Sequence, residues 1–308
     1  MTYNVPHTVP AHAKINLFLD VTGRRWDGYH TLTGVMQSVS LADDVTLCLL
    51  PSAEPADSIR LTCSDPALPT DRGNLAYRAA EMLIRHLREN GCPIPVFRVD
   101  VHIDKHIPYP AGLAGGSADA AAVLRGMNDL LGNPFDRIEL ETIGSRLGAD
   151  VPFCIRGGTC ISEGIGDELT SCAPLPDCDI LIACAGEGVP TPDAYRALDA
   201  SCGGFADGSY RSRHEELEKL IRALDSGDLS GIGVHGFNLF ESVVLPRHSR
   251  AGALLKELEA AGACGARMSG SGPSVFALFR SGAADDACRT LRGQGVPVWI
   301  CRPVRDER

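Results

Sequence analysis

Four places along the chain bring together residue types that could do chemistry. The first is the run from Ile107 to Ala122, which sets Pro108, Tyr109, Pro110, Ala111, Gly112, Leu113, Ala114, Gly115, Gly116 and Ser117 between a strand and a helix. Upstream, Phe97 to Ile103 alternates apolar and polar residues, as a half-buried strand does. Downstream, Ala120, Val123, Leu124, Met127, Leu130 and Leu131 recur at helical spacing. Between them backbone amides can approach a ligand closely, and the helix begins with unpaired donors aimed at it, which suits phosphate. Ser117 stands where a Walker A loop needs Lys, and Gly112-Leu113-Ala114 breaks the dinucleotide G-x-G-x-x-G. No H-R-D or D-F-G signature occurs, which excludes a protein kinase. The run could also be a plain strand-to-helix turn capped by Ser117 or Asp119.

Three further places are weaker alone. Lys14 interrupts the apolar strand Ala11 to Val21, with Ala13, Ile15, Leu17, Leu19 and Val21 on one face and Lys14 and Asn16 on the other. It either meets an anionic partner or points to water. Asp150 is pinned in Gly148-Ala149-Asp150-Val151-Pro152, where Pro152 favours an extended Val151. It is either a functional side chain or a turn aspartate accepting backbone hydrogen bonds. Met268-Ser269-Gly270-Ser271-Gly272-Pro273 is a second small-residue loop, either an anion-binding nest or a tight turn.

The elements that must position these residues follow from periodicity and breakers. Asp27-Gly28 marks a turn, and Gly34–Leu41 and Asp44–Leu50 read as two strands. A strand around Ile59–Cys63 precedes a helix over Asn74–Glu89, with Leu75, Ala79, Met82, Leu83 and Leu87 inward. Asp136–Leu147 reads as a helix burying Ile138, Ile143 and Leu147 and ended by Gly148. Strands follow at Gly158–Ser162 and Ile180–Cys184, and a short helix opens with Thr191 as N-cap and Pro192 in its first turn. Ser201–Ser209 is a polar loop. Helices at Arg213–Leu224 and Arg250–Ala261, a strand at Ser274–Phe279, a helix at Ala283–Leu291 and a strand at Val296–Cys301 complete the series. This mixed order predicts an α+β fold. The division falls near Gly157 to Leu175, giving residues 1–165 and 166–308.

The 308 residues suit about two domains. A net charge of −10 argues against a nucleic-acid or anionic-membrane binder, though not against a phosphorylated small substrate. No apolar run reaches a membrane span, and the N-terminus does not resemble a secretory signal, so a cytoplasmic protein is expected. The 12 cysteines include no C-x-x-C pair and read as free, mostly buried thiols, with no metal site expected.

Taken in order, these pieces resemble the motifs of the GHMP kinases. Ala13-Lys14-Ile15-Asn16-Leu17-Phe18-Leu19, Arg24-Arg25-Trp26-Asp27-Gly28-Tyr29-His30, Leu147 to Phe153 and Met268 to Pro273 are similar to those members that act on a cytidine-diphosphate-linked methylerythritol in the non-mevalonate route to isoprenoid precursors. The resemblance covers roughly Ala11 to Phe279. It implies a two-domain α+β fold, with an N-terminal ATP-binding and catalytic domain like ribosomal protein S5 domain 2 and a ferredoxin-like C-terminal substrate-binding domain. It implies transfer of phosphate from ATP, with Mg2+, to a hydroxyl of that substrate, giving the 2-phosphate and ADP. Asp150 matches the family's catalytic base and Lys14 its catalytic lysine. Pro108, Ala111, Gly112, Leu113, Ala114, Gly115, Gly116, Ser117, Ala118 and Asn74 match nucleotide-binding positions. Asn16, Tyr29, His30, Thr191, Tyr195, Ser271 and Gly272 match substrate-binding positions, with Tyr29 and His30 at the cytosine. No residue is expected to be a dedicated metal ligand, and a monomer or weak homodimer is expected. Relatives usually carry Gly-Ala-Gly-Leu-Gly-Gly-Gly-Ser-Ser in the loop; here Pro110, Ala114 and Ala118 replace Gly, Gly and Ser. Pro110 removes a backbone donor, Ala114 disfavours positive φ, and Ala118 removes a hydroxyl.

The chemistry agrees with that resemblance. A carboxylate beside an alcohol can take its proton as transfer proceeds, and an ammonium offsets charge on the migrating phosphoryl. Tyr29 and Tyr195 offer faces on which a pyrimidine could stack; the alternative for Tyr195 is a core residue. A GHMP kinase for a simpler alcohol, or a ligand-binding GHMP-fold protein without catalysis, are the competing readings. The aromatic residues speak against the first and the pair Lys14 and Asp150 against the second.

Overall fold

A computed structural model describes residues 1–92, 94–186, 188–201 and 209–305. In chain order the elements are β1 (His7–Arg24), β2 (His30–Pro51), β3 (Ser58–Cys63), α1 (Leu75–Glu89), β4 (Phe97–Asp104), α2 (Gly115–Leu130), α3 (Arg137–Ser145), α4 (Val151–Arg156), β5 (Thr159–Glu163), β6 (Glu168–Ser171) and β7 (Asp179–Ala183). They continue with α5 (Thr191–Ser201), α6 (Ser209–Ser226), α7 (Leu229–His235), β8 (Phe237–Asn238), α8 (Glu241–Val244), α9 (Ser249–Ala260), β9 (Gly265–Met268), β10 (Val275–Phe279), α10 (Asp285–Gly293) and β11 (Val298–Cys301).

Packing divides the chain into two interleaved units. The first comprises Met1–Ala13, Ala42–Ile107 and Ala114–Arg156; the second comprises Lys14–Leu41, Pro108–Leu113 and Gly157–Arg308. The division into 1–165 and 166–308 concerns chain order, whereas β1 and β2 each contribute to both units.

In the first unit β4 pairs antiparallel with β2, from Asp44 with Asp104 to Pro51 with Phe97, and parallel with β3. The alternation read in β4 holds, since Phe97, Val99, Val101 and Ile103 are all buried. Helices α1 and α2 pack together, and α3 and α4 complete the layer. Helix α2 is buried through small residues, among them Ala118 and Ala120 to Ala122. A Cβ on Gly126 would stand 2.2 Å from Leu47 Cδ1, so only glycine lets α2 lie this close to β2. Each fully buried Leu or Val here contributes about 1.5–3 kcal/mol through water exclusion.

In the second unit a four-stranded antiparallel sheet runs β11-β7-β10-β9. All residues of β7 and β10 are buried. Leu254 and Leu258 of α9 and Cys288 and Leu291 of α10 join one core with Leu181, Ala277 and Phe279 of that sheet. Gly34 to Gln37 of β2 pairs with β5, β5 with β6, and Phe18 and Leu19 of β1 pair parallel with β8.

Several elements differ from expectation. Gly34–Leu41 and Asp44–Leu50 form one strand, β2, because Asp43 is fully buried in the strand rather than turning it. Val151 is helical: α4 begins there, and Pro152 occupies its first turn, where a missing N–H costs nothing. Ile138 is 69% exposed; Leu140 and Ile143 carry the buried stripe of α3, which ends at Ser145 rather than at Leu147. Strands β6, β8 and β9 and helices α4, α7 and α8 were not anticipated; all are short. Most of the polar stretch Ser201–Ser209 lies outside the described residues.

Candidate functional site

The second unit holds Lys14, Asn16, Tyr29, His30, Pro108 to Leu113, Thr191, Tyr195, Ser271 and Gly272; the first holds Asn74, Ala114 to Ala118 and Asp150. Lys14 and Asp150 therefore belong to different units.

In the second unit the strand-face reading placed Lys14 and Asn16 side by side, and both are buried. A water-facing Lys14 is overturned: the residue is 5% exposed, and its ammonium donates to Asn16 Oδ1 at 2.8 Å. The same Asn16 oxygen accepts from the Gly270 N–H at 3.1 Å, joining β1 to the Met268–Pro273 loop. That loop is fixed from several sides. Asn238 Nδ2 donates to the carbonyls of Met268 and Gly270, and its Oδ1 accepts from Phe240 N–H. Ser269 Oγ donates to the Gly112 carbonyl at 2.9 Å, and the Leu113 carbonyl accepts from Lys14 N–H. A Cβ on Gly112, at φ +73°, would lie 2.3 Å from the Ser269 carbonyl oxygen, so the two small-residue loops meet backbone to backbone.

His30, expected at the cytosine, and Tyr195, expected at the nucleotide half of the substrate, form a second cluster in this unit. His30 stacks on Tyr195, with centroids 4.5 Å apart and planes 18° from parallel. Tyr195 in turn meets Phe240 edge-on at 4.9 Å. Tyr195 is thus half-buried and covers one face of His30, rather than standing free as a stacking platform. His30 Nε2 hydrogen-bonds Asp199 Oδ1 at 2.8 Å, and Asp199 also meets Arg24 at 3.4 Å. Tyr195 and Asp199 sit four apart on α5 and so share a face. Tyr29, by contrast, is 62% exposed. Thr191 is the first residue of α5 rather than its N-cap: the Pro190 carbonyl accepts from Asp193 and Ala194 N–H, and Thr191 Oγ1 bonds Ser271 Oγ at 3.1 Å.

In the first unit α2 starts without a side-chain cap. Its N-cap residue is Ala114, at φ 58° and ψ 29°, and neither Ser117 nor Asp119 caps it. The first intrahelical bond runs from Ala118 N–H to the Ala114 carbonyl. The amides of Gly115, Gly116 and Ser117 therefore precede the ladder, at the positive end of the helix dipole. These are donors that fit a phosphate. Ala118 differs from its neighbours, because its amide is spent within the helix and its side chain is buried. Asn74 is engaged structurally: its Oδ1 accepts from Ala76 N–H to cap α1, and its Nδ2 donates to the Pro69 carbonyl. A Cβ on Gly148 would stand 4.0 Å from Ser117 Oγ, so Ser117 lies beside the turn that carries Asp150. The Asp150 carbonyl accepts from Cys154 N–H and starts α4.

Sequence reasoning missed three groups. Asn238 is a buried loop clamp with no flanking motif. Asp199 holds His30 from 169 residues away. Lys105 makes buried ion pairs with Asp43 and Asp119, which are 62 and 14 residues distant in sequence, separations that no local pattern reveals. Desolvation pushes the Asp119 carboxyl up to about 7 despite the adjacent ammonium. Burial opposes the charge on Lys105, but Asp119 and Asp43 outweigh it and hold the ammonium above its ordinary range. Burial also pushes the Cys172, Cys178 and Cys301 thiols up to about 12, leaving them unreactive. Among the described residues, no group of three His, Cys, Asp or Glu side chains could hold a metal ion. No helix among them is long and apolar enough to cross a membrane.

A glycine-containing strand-to-helix loop, a buried lysine on β1 and a glycine-serine loop suit a small-molecule kinase, and comparison with known proteins agrees. Residues 74–158 match the GHMP kinases N terminal domain, and residues 197–296 match the GHMP kinases C terminal domain. The chain belongs to the GHMP kinase family. Similar relatives bear the name 4-diphosphocytidyl-2-C-methyl-D-erythritol kinase. One from Acetivibrio thermocellus is 39% identical and one from Synechocystis sp. is 42% identical, covering 96% and 97% of this chain and 96% of each relative. A crystal structure of 4-(cytidine 5'-diphospho)-2C-methyl-D-erythritol kinase superposes with a TM-score of 0.74 at 31% identity, covering 96% of this chain and 99% of that one. The homoserine kinase of Cytophaga hutchinsonii, at 21% identity and a TM-score of 0.77, shares the fold.

Proposed function

We propose that the chain transfers the γ-phosphoryl group of ATP to a hydroxyl of 4-diphosphocytidyl-2-C-methyl-D-erythritol, giving the 2-phosphate and ADP in the non-mevalonate route to isoprenoid precursors. The observation that carries this is the near-full-length similarity to relatives of that name, at about 40% identity. The residues present suit the reaction. Asp150 accepts the hydroxyl proton as the new oxygen–phosphorus bond forms and the bridging bond to ADP breaks. Lys14, held by Asn16, offsets charge that develops on the transferring group. The amides of Gly115, Gly116 and Ser117 hold ATP phosphates, and the Ser117 hydroxyl is available to Mg2+. When bound beside Ser117, Mg2+ would supply charge neutralisation to the phosphates. His30, oriented by Asp199 and Tyr195, reads the cytosine, and the exposed Tyr29 closes on it. The protein works in the cytoplasm as a monomer or weak homodimer.

A coupled ADP-release assay tests the reading, with the cytidyl substrate beside mevalonate, homoserine and galactose. ADP release with the cytidyl substrate alone is expected. Release with one of the other alcohols instead would assign a different kinase activity, and release with none would favour a ligand-binding protein without catalysis.

A further inference from the structure

Beneath the first turn of α2 lies a cluster of charges that the reaction does not use. Lys105 follows β4 directly and its side chain is 7% exposed; those of Asp43 and Asp119 are 0% and 4% exposed. The ammonium bonds Asp119 Oδ2 at 2.8 Å and makes a short contact with Asp43 Oδ2. Asp43 Oδ1 accepts from the His106 and Ile107 N–H groups, where the chain leaves β4 for the loop. Asp119 is four residues into α2 from Gly115, on the same helix face. A Cβ on Gly115 would stand 3.4 Å from Lys105 Nζ, which places the ammonium directly under the helix start. The Lys105 amide is held as well, donating to Ser64 Oγ at 2.8 Å. One lysine thus ties β2, the exit of β4 and α2 together within a single unit.

A buried pair of acids on one lysine is an expensive way to gain stability alone, because desolvation offsets much of the attraction. Its geometric effect is specific: it sets the depth and rotation of α2 against the exit of β4. We propose that Lys105 is a positioning residue for the nucleotide, holding Asp43 and Asp119 so that the amides of Gly115, Gly116 and Ser117 face the phosphates of ATP. The inference rests on the ATP-dependent reading above. The bonds of Lys105 to Asp43 and Asp119 act through the helix.

Steady-state kinetics of the full-length enzyme test it, varying ATP and the cytidyl substrate separately, with thermal melting in parallel. Lys105→Met is expected to raise the KM for ATP by about tenfold or more and to leave the KM for the cytidyl substrate within about twofold. Lys105→Arg should recover part of the loss. Should Lys105→Met fail to fold, the double variant Lys105→Met/Asp119→Asn keeps the net charge of the cluster and should show the same selective rise. Equal rises in both KM values, or an unchanged KM for ATP in any folded variant lacking Lys105, would overturn the proposal. A wild-type enzyme inactive with the cytidyl substrate would sink the functional reading instead. In that case ATP binding to wild type and to the double variant, read by calorimetry, still decides the role of Lys105.

Discussion

The Met268–Pro273 loop and the start of α2 are both runs of small residues, yet they are built in opposite ways. The first is tied down at every turn. Asn238 clamps two of its carbonyls, Asn16 holds Gly270, and Ser269 reaches Gly112. Gly270 and Gly272 take the positive φ values such a turn needs. The second has no side-chain cap and spends an alanine, Ala114, on a left-handed position. Satisfied backbone groups make a scaffold, and unsatisfied donors at a helix start make a binding surface. Lesions in the first region should therefore cost stability, and lesions around the second should cost turnover or nucleotide affinity.

The sharpest test is Asp150→Asn, in the turn beside Ser117. The substitution keeps shape and removes the proposed base, so turnover is expected to fall about 10²–10⁴-fold while calorimetry still shows ATP binding. Undiminished turnover would remove Asp150 as the base and the contrast with it. Gly112→Ala probes the tied region. A Cβ there meets the Ser269 carbonyl at 2.3 Å from a residue at φ +73°, and neither backbone can yield easily. Stability in urea should drop by about 2–4 kcal/mol. A loss of ATP affinity without a loss of stability would mean that this half of the loop is also a binding surface.

The two regions also differ in how far they could be read from sequence. The start of α2 was legible because strand alternation, a glycine cluster and helical spacing are local signals, and Val99, Val101, Val123 and Met127 are buried as those periods require. Lys14 and Asn16 were legible as one strand face. Their meaning was not, since Asn16 is held by Gly270, 254 residues away. Asn238, Asp199 and the partners of Lys105 were invisible for the same reason. The errors were of two kinds. Gly34–Leu41 and Asp44–Leu50 read as two strands, whereas β2 runs unbroken through a fully buried Asp43, a residue type that usually faces water. Pro152 looked like a break because proline disfavours a helical predecessor, and here it lies in a helix's first turn.

Asp119 gives a test by pH rather than by clash. Its carboxyl titrates near 4 when unfolded and about 7 when folded, because burial disfavours the charged form. Between those values the native state holds one proton more, so this group's contribution to stability falls as pH rises through the window and is level above it. The stability of wild type relative to Asp119→Asn should therefore be greater at about pH 5 than at about pH 8, by urea unfolding. A difference that does not vary with pH would show that Lys105 keeps Asp119 ionised throughout, and the cluster would then be a simple ion triad.

The smallest expected effect lies at Ala114 and decides what the open region tolerates. A left-handed alanine costs roughly 1 kcal/mol relative to glycine in that conformation, but glycine also frees the unfolded chain. These two terms oppose each other, so Ala114→Gly should change stability by less than about 1 kcal/mol. Its effect on ATP should be equally small if Lys105 and Asp43 already fix the start of α2. The measurement is the KM for ATP in Ala114→Gly alone and combined with Lys105→Met. If the glycine is silent in wild type but worsens the KM in the Lys105 variant, the buried cluster is what holds an otherwise unsupported turn. If the glycine alone raises the KM for ATP several-fold, the alanine itself supplies the rigidity, and the contrast between a tied loop and an open one is narrower than the hydrogen bonds suggest.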